Sequence, residues 1–287
     1  MSRTLPLLPS ISMYVAATIF FVVLDSMAKY MTASVPLGLV VWARYASSFA
    51  LLAALLPVLG VRKTIDSRHR LVQLGRGALL VSATTCMFGA VSILPVSQSY
   101  AISYISPILV VMLAAIFLGE RTSLLQKVGV LFGFTGVLLV IRPGFQDWRW
   151  AMLLPLASAV FYASYQVLTR WVGKYDSPFT SLWYVTLSGT VLTSFLLPWS
   201  YASLHWHSWL FLGFMGAIGN CGHFLVIKAY SNAGASVLAP FLYLQLVWAA
   251  LMDALVFSTM PDGFMWIGSA VIVGAGLMII VGDRCKR

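Results

Sequence analysis

Ten runs of about twenty predominantly apolar residues follow one another along this chain of 287 residues, and no other feature limits its folding as much. A bilayer core about 30 Å thick is crossed by about 20 residues of helix. Runs of that length lie at 11–31, 36–57, 74–94, 98–118, 124–141, 150–169, 179–198, 207–228, 236–257 and 264–282. Turn formers or charges separate them: Val35-Pro36, the stretch from Pro57 to Arg70, Pro95, Gly119-Glu120-Arg121, Arg142-Pro143-Gly144, Asp176-Ser177-Pro178, Pro198 and Pro261-Asp262-Gly263. In lipid each crossing segment must satisfy its own backbone groups, so the runs are predicted to be helices. The apolar run after MSRTLPLLPS is long and lacks a small-residue cleavage site, which predicts a first span and not a cleaved leader.

Composition closes the alternatives. Charged residues are 9% of the chain and apolar residues 60%, against about 25% charged in soluble domains. So few charges cannot make a water-facing exterior. A soluble enzyme, a secreted disulfide scaffold and a disordered chain are excluded. The net charge of +10 comes from basic residues scattered between apolar runs, which suits an orientation signal and not a nucleic-acid face. Cys86, Cys221 and Cys285 stand far apart with no metal-ligand spacing, and no Walker loop, GxSxG or HExxH occurs. Neither a metal, a cofactor nor a catalytic residue is expected, and ATP is not expected to drive the protein.

With the N-terminus inside, the inner ends carry Arg3, Arg62, Lys63, Arg68, Arg70, Arg76, Arg121, Lys127, Arg170, Lys174, Lys228, Arg284, Lys286 and Arg287. The outer ends then carry Lys29, Arg142 and Arg149, a bias of 14 to 3. Both termini are therefore predicted cytoplasmic. The chain also repeats itself. Ser103 to Pro107 overlays Ser236 to Pro240 at an offset of 133, which carries Glu120 onto Asp253. Phe20 to Lys29 overlays Phe161 to Arg170 at an offset of 141, which carries Pro57 onto Pro198. Two repeats of five spans, about 1–142 and 148–287, are predicted. An odd number of spans inverts the second in the membrane, and two inverted repeats around one midplane site are the logic of a transporter.

Ionisable residues inside spans are costly and need partners or a function. Asp25 and Lys29 share a face of the first span, and Asp25 and Arg44 lie at similar depth, about 10 Å below the outer surface. They are read as a charge clamp between the first two spans or as a substrate or proton site. The eighth span holds Gly213, Gly216, Gly219 and Gly222 with Asn220 and His223, which fits either tight helix packing or a bending, cavity-lining helix. Bulk at Gly219 is expected to be poorly tolerated. His223 fits a core position as well as a site. Tyr100, Tyr104, Tyr162, Tyr165, Gln166, Tyr243, Gln245 and Trp248 add polar groups to the fourth, sixth and ninth spans. Trp148, Trp150, Trp199, Trp206 and Trp209 fit anchors at headgroup depth. Gly129 and Gly133 on the fifth span fit helix packing.

Several of these residues together resemble the drug/metabolite transporter superfamily in its EamA-type, ten-helix branch. They are Asp25-x-x-x-Lys29, Arg44, Ser106-Pro107, Leu118-Gly119-Glu120-Arg121, Gly129, Gly136 and Ile141-Arg142-Pro143-Gly144 in the first half. Ala239 to Gln245 and Gly268 match in the second. Ser258-Thr259 departs from the Gly-Glu of many relatives, so a role for an acid there does not carry over. The resemblance implies an all-α polytopic membrane protein, a secondary transporter working by alternating access around a central cavity made by both repeats. It implies efflux of amino acids or related compounds, with import of a nucleoside-like metabolite such as S-adenosylmethionine as the alternative; an intramembrane enzyme and a channel are weaker readings. Tyr162, Gln166, Asn220, His223, Tyr243, Gln245 and Tyr104 are the expected substrate contacts. A small-molecule substrate, the lipid bilayer and a bacterial inner membrane are the expected surroundings.

Overall fold

The computed structural model describes residues 7–94, 96–120, 123–141, 150–195, 197–200, 202–256 and 263–284, and these contain helices and no strand. The first half is α1 (Leu7–Thr32), α2 (Leu37–Leu59), the short α3 (Val61–Ile65), α4 (Arg70–Ile93), α5 (Val96–Ser103), α6 (Ser106–Leu118) and α7 (Leu124–Ile141). A 3₁₀ turn at Trp150–Met152 leads into α8 (Leu153–Val172), followed by α9 (Pro178–Ser194), α10 (Leu197–Ser200) and α11 (Trp206–Asn232). Then come α12 (Ala235–Leu238), a second 3₁₀ segment (Ala239–Tyr243), α13 (Leu244–Val256) and α14 (Gly263–Arg284). The segments Leu7–Thr32, Leu37–Leu59, Arg70–Ile93, Trp150–Val172 and Trp206–Asn232 are each long and apolar enough to cross a membrane. The chain is an all-α polytopic membrane protein. Side chains such as Ile116, Phe117, Phe132, Leu210 and Phe214 are exposed on the outside of the bundle, where lipid tails take the place of a protein core.

The ends obey local chemistry. Ser177 caps α9, its Oγ accepting from the Thr180 N–H at 3.1 Å, with Pro178 opening the helix. Gly119 ends α6 at φ 61°, a left-handed conformation suited to glycine. Two expected runs, 98–118 and 236–257, are not continuous. The first breaks at Tyr104-Ile105, ahead of Pro107, and the second passes through the 3₁₀ segment that holds Pro240. Proline has no N–H to give the preceding turn, so the helical hydrogen-bond ladder loses a rung there. Both breaks fall where the duplicated Ser-to-Pro motif lies.

Packing follows the duplication. The repeat carries α1 onto α8, α2 onto α9, α4 onto α11 and α7 onto α14. The contacts obey the same exchange: α1 packs on α11 as α8 packs on α4, and α2 packs on α11 as α9 packs on α4. The pairs α2–α9 and α7–α14 are their own images. The halves are thus related by an approximate two-fold axis. Small residues set the close approaches: a Cβ at Gly133 would strike the Tyr243 ring, and one at Gly136 would lie 2.8 Å from the Gly268 carbonyl oxygen. One basic residue leaves the expected inner-loop set. Arg76 is fully buried in α4, donating from Nη1 to Thr169 Oγ1 at 3.1 Å and from Nη2 to the Ser181 carbonyl.

Candidate substrate-binding site

A cavity of about 100 Å³ lies among α1, α2, α4, α5, α8 and α11, at the break between α5 and α6. Its apolar wall comes from Phe21 and Leu24 of α1, Leu80, Met87 and Phe88 of α4, and Leu242 of the second 3₁₀ segment. Its polar atoms come from Asp25, Arg44, Thr84, Tyr100, Ser103, Tyr104, Ser106, Ser158, Tyr162, His223 and Gln245.

Arg44 is almost fully buried, and two helices grip its guanidinium. Nη1 donates to Thr84 Oγ1 at 2.9 Å, and Nη2 lies 2.9 Å from His223 Nε2. A guanidinium can only donate, so His223 Nε2 is the acceptor and the imidazole is neutral with its proton on Nδ1. Nδ1 faces the Tyr165 hydroxyl at 3.5 Å. The Tyr45 ring lies 4.8 Å from the Arg44 guanidinium carbon, a distance at which the ring face attracts a cation. Asp25 accepts from the Tyr100 hydroxyl. The expected Asp25–Arg44 clamp does not form: between described side chains the ion pairs are Arg70–Asp66 and Arg170–Glu120. The reason is positional, because Thr84 and His223 draw the guanidinium toward α4 and α11 while Tyr100 holds the carboxylate toward α5.

Two buried polar atoms of lining residues, Tyr104 Oη and Ser106 Oγ, have no hydrogen-bond partner among the described residues. Buried polar groups are almost always satisfied. Both residues sit at the α5–α6 break and border the cavity, with their hydroxyl oxygens enclosed.

The sequence-predicted residues divide in two. The structure brings Tyr104, Tyr162, His223 and Gln245 together on the cavity with Asp25 and Arg44. Gln166, Asn220, Tyr243 and Lys29 do not line it. Gln166 is fully buried behind it and accepts from the hydroxyls of Tyr14, at 3.1 Å, and Tyr230. Asn220 donates from Nδ2 to the Ser48 carbonyl at 2.9 Å, which ties α11 to α2. Tyr243 packs its ring edge-on against Tyr104, with centroids 5.8 Å apart, and stands behind it. Lys29 is exposed near the end of α1. Sequence reasoning missed Thr84, Phe88 and Ser158, which carry no signal of their own.

It also missed two polar networks at the predicted cytoplasmic ends of the helices. Asp176 Oδ2 accepts from Ser67 Oγ at 2.6 Å and from Gln73 Nε2 at 2.8 Å, joining α4 to the start of α9. Glu120 accepts from Arg170 Nε at 3.1 Å and from the Ser236 N–H at 3.3 Å, joining α6 to α8 and α12. Arg76 was detectable, because it lies inside the run drawn at 74–94, where a charge demands a partner.

The comparisons agree with this architecture. The pattern of the EamA-like transporter family matches twice, at residues 8–142 and 149–281. A riboflavin transporter of Vibrio cholerae is 30% identical over 264 residues, covering 90% of this chain and 88% of that protein. An S-adenosylmethionine uptake transporter of Rickettsia bellii is 27% identical, covering 91% of this chain and 89% of that protein. The pseudopaline exporter CntI of Pseudomonas aeruginosa is 26% identical, covering 95% of each. A solved crystal structure superposes with a TM-score of 0.77 at 19% identity, covering 96% of this chain and 99% of its own, so the fold is shared. The relatives are transporters and not enzymes, and with its duplicated pattern spanning almost its whole length this chain belongs to the EamA-like transporter family.

Proposed function

We propose that the protein takes up a metabolite built on a nitrogen-containing heteroaromatic ring, with riboflavin as the first candidate, across the bacterial inner membrane. The two halves, 1–142 and 148–287, form two inverted repeats of five spans with both termini in the cytoplasm. They rock about the cavity to open it to either side in turn. The networks on Asp176 and Glu120 close its cytoplasmic end.

One observation carries this reading. Asp25, Arg44 with N–H groups to spare, Tyr104 and Ser106 line one aromatic-walled cavity, and Tyr104 Oη and Ser106 Oγ find no hydrogen-bond partner among the described residues. Flat aromatic walls suit a planar ring, and a few fixed donors and acceptors orient its polar edge. Tyr162 and Gln245 complete that edge, and His223 holds Arg44 beside it. Gln166, Asn220 and Tyr243 act from behind, holding the walls. Relatives named as riboflavin and S-adenosylmethionine transporters support a fused-ring substrate.

Export of amino acids or related compounds is the second reading, favoured by the relative named as a pseudopaline exporter. Uptake into proteoliposomes decides between them. Riboflavin, S-adenosylmethionine and a mixture of amino acids are offered as labelled compounds. Saturable riboflavin entry, absent from empty vesicles, is the expected result. Transport of amino acids with no flavin movement would overturn the proposal in favour of the second reading.

A further inference from the structure

Arg44 occupies a position that the duplication makes special. Two tight glycine contacts fix the register between the halves. A Cβ at Gly77 of α4 would lie 2.5 Å from the Ser188 side chain on α9, and one at Gly216 of α11 would lie 2.1 Å from Ser47 Oγ on α2. Gly77 and Gly216 differ by 139 residues, and Ser47 and Ser188 by 141, so these contacts are images of one another. The same offset of 139 carries Thr84 onto His223. The two groups that hold the Arg44 guanidinium, each at 2.9 Å, are thus equivalent residues of the two halves. The Arg44 guanidinium therefore sits between two residues that the duplication makes equivalent. Its own image, at an offset of 141, is Val185, so one cation serves both halves.

We propose that Arg44 is the fixed anchor for the acceptor edge of the substrate, kept in place in both inward- and outward-open states by Thr84 and His223 as positioning residues. In a transporter of inverted repeats, the second state is reached when the halves exchange conformations. A group held by equivalent residues of the two halves keeps one neighbour from each through that exchange. The substrate then stays on one receptor while the gates alternate. The two holders spend two of the guanidinium's five N–H donors, which leaves the others for a carbonyl, carboxylate or ring nitrogen. His223 acts as a neutral acceptor. A leucine there leaves the Arg44 charge ungripped on the α11 side, whereas a glutamine can still accept through Oε1.

The proposal rests on the transporter reading, and its test separates the two. Riboflavin and S-adenosylmethionine binding are measured on the full chain in detergent for the wild type, His223→Leu, His223→Gln, Thr84→Val and Thr84→Ser. His223→Leu and Thr84→Val should each weaken binding at least about tenfold. His223→Gln and Thr84→Ser should stay within about threefold of the wild type, which general damage to folding would not produce. In parallel, the guanidinium ¹⁵N signals of Arg44, assigned by their loss in Arg44→Lys, should show slowed rotation in the wild type. They should show averaging in His223→Leu. If the wild type binds neither compound, the substrate reading fails and the guanidinium spectrum alone judges the anchor. Unchanged affinity in both His223→Leu and Thr84→Val, or an Arg44 guanidinium that rotates freely in the wild type, would overturn the proposal.

Discussion

Replacing Gly216 by alanine tests the contact between α2 and α11 that holds the Arg44 helix in place. The added methyl would sit 2.1 Å from Ser47 Oγ and 2.7 Å from the Ser48 backbone nitrogen. Ordinary carbon contacts lie at about 3.5–4.0 Å. The serine hydroxyl can turn away, giving up its bond to the Leu212 carbonyl at 3.3 Å. The Ser48 nitrogen belongs to the helix backbone and cannot, so the helices must part. Parting them stretches the bonds from Ser48 Oγ to the Gly216 carbonyl, 3.0 Å, and from Asn220 Nδ2 to the Ser48 carbonyl, 2.9 Å. Overpacking costs about 1–3 kcal/mol, and interhelical hydrogen bonds in membranes contribute about 0.6 kcal/mol each. The sum is about 2–4 kcal/mol. At about 2–4 °C per kcal/mol, the melting midpoint in detergent should fall by about 5–15 °C. Gly213 has nothing within 4 Å of its Cβ position, and Gly213→Ala should leave the midpoint unchanged or slightly raised through better helix propensity, worth up to about 1 kcal/mol. If the two variants melt within about 2 °C of each other, the packing argument is wrong. At Gly219 a single methyl would meet Arg44 Nε at an ordinary 3.5 Å and Leu24 at 3.7 Å, so the expected intolerance there concerns bulk beyond Cβ.

Two further outcomes follow from the same geometry. Glu120→Gln should lower stability by about 1–2 kcal/mol, discounted because both side chains of its ion pair are nearly a fifth exposed. A double-mutant cycle with Arg170→Gln should return a coupling of about 1 kcal/mol, and strict additivity would remove the pair from the inner closure. For topology, Arg68→Cys should resist an impermeant thiol reagent in intact cells while Ser203→Cys reacts, both being exposed positions. Reversed labelling would invert the assignment of both termini; Ser67 is unsuited to this experiment because it is buried against Asp176.

Much of the fold was legible because lipid imposes a single rule on every crossing segment. The run drawn at 124–141 coincides with α7, and most other boundaries moved by a few residues, as polar or aromatic ends such as Arg70 and Trp206 extended the helices. The helix breaks were visible only as a repeated Ser-to-Pro motif, and proline chemistry turns that motif into an interruption. The site was half legible. Charges and tyrosines inside spans marked Asp25, Arg44, Tyr104 and Tyr162, because each is costly in lipid without a purpose. Sequence spacing could not say which way a side chain points across a bundle. Asp25 and Arg44 share a depth and yet take different partners, on α5 and on α4 with α11. Gln166 lies one turn beyond Tyr162, and in the folded bundle its side-chain oxygen goes to Tyr14 and Tyr230.

The central claim is that substrate occupies the cavity at the α5–α6 break. Ser103 lines that cavity. In a variant whose Cys86, Cys221 and Cys285 are replaced by serine, Ser103→Cys should react with a small thiol reagent and lose riboflavin transport. Riboflavin present during the reaction should slow the modification in proportion to its occupancy of the wild-type site. Modification at the same rate with saturating riboflavin, or full transport after complete modification, would contradict the account.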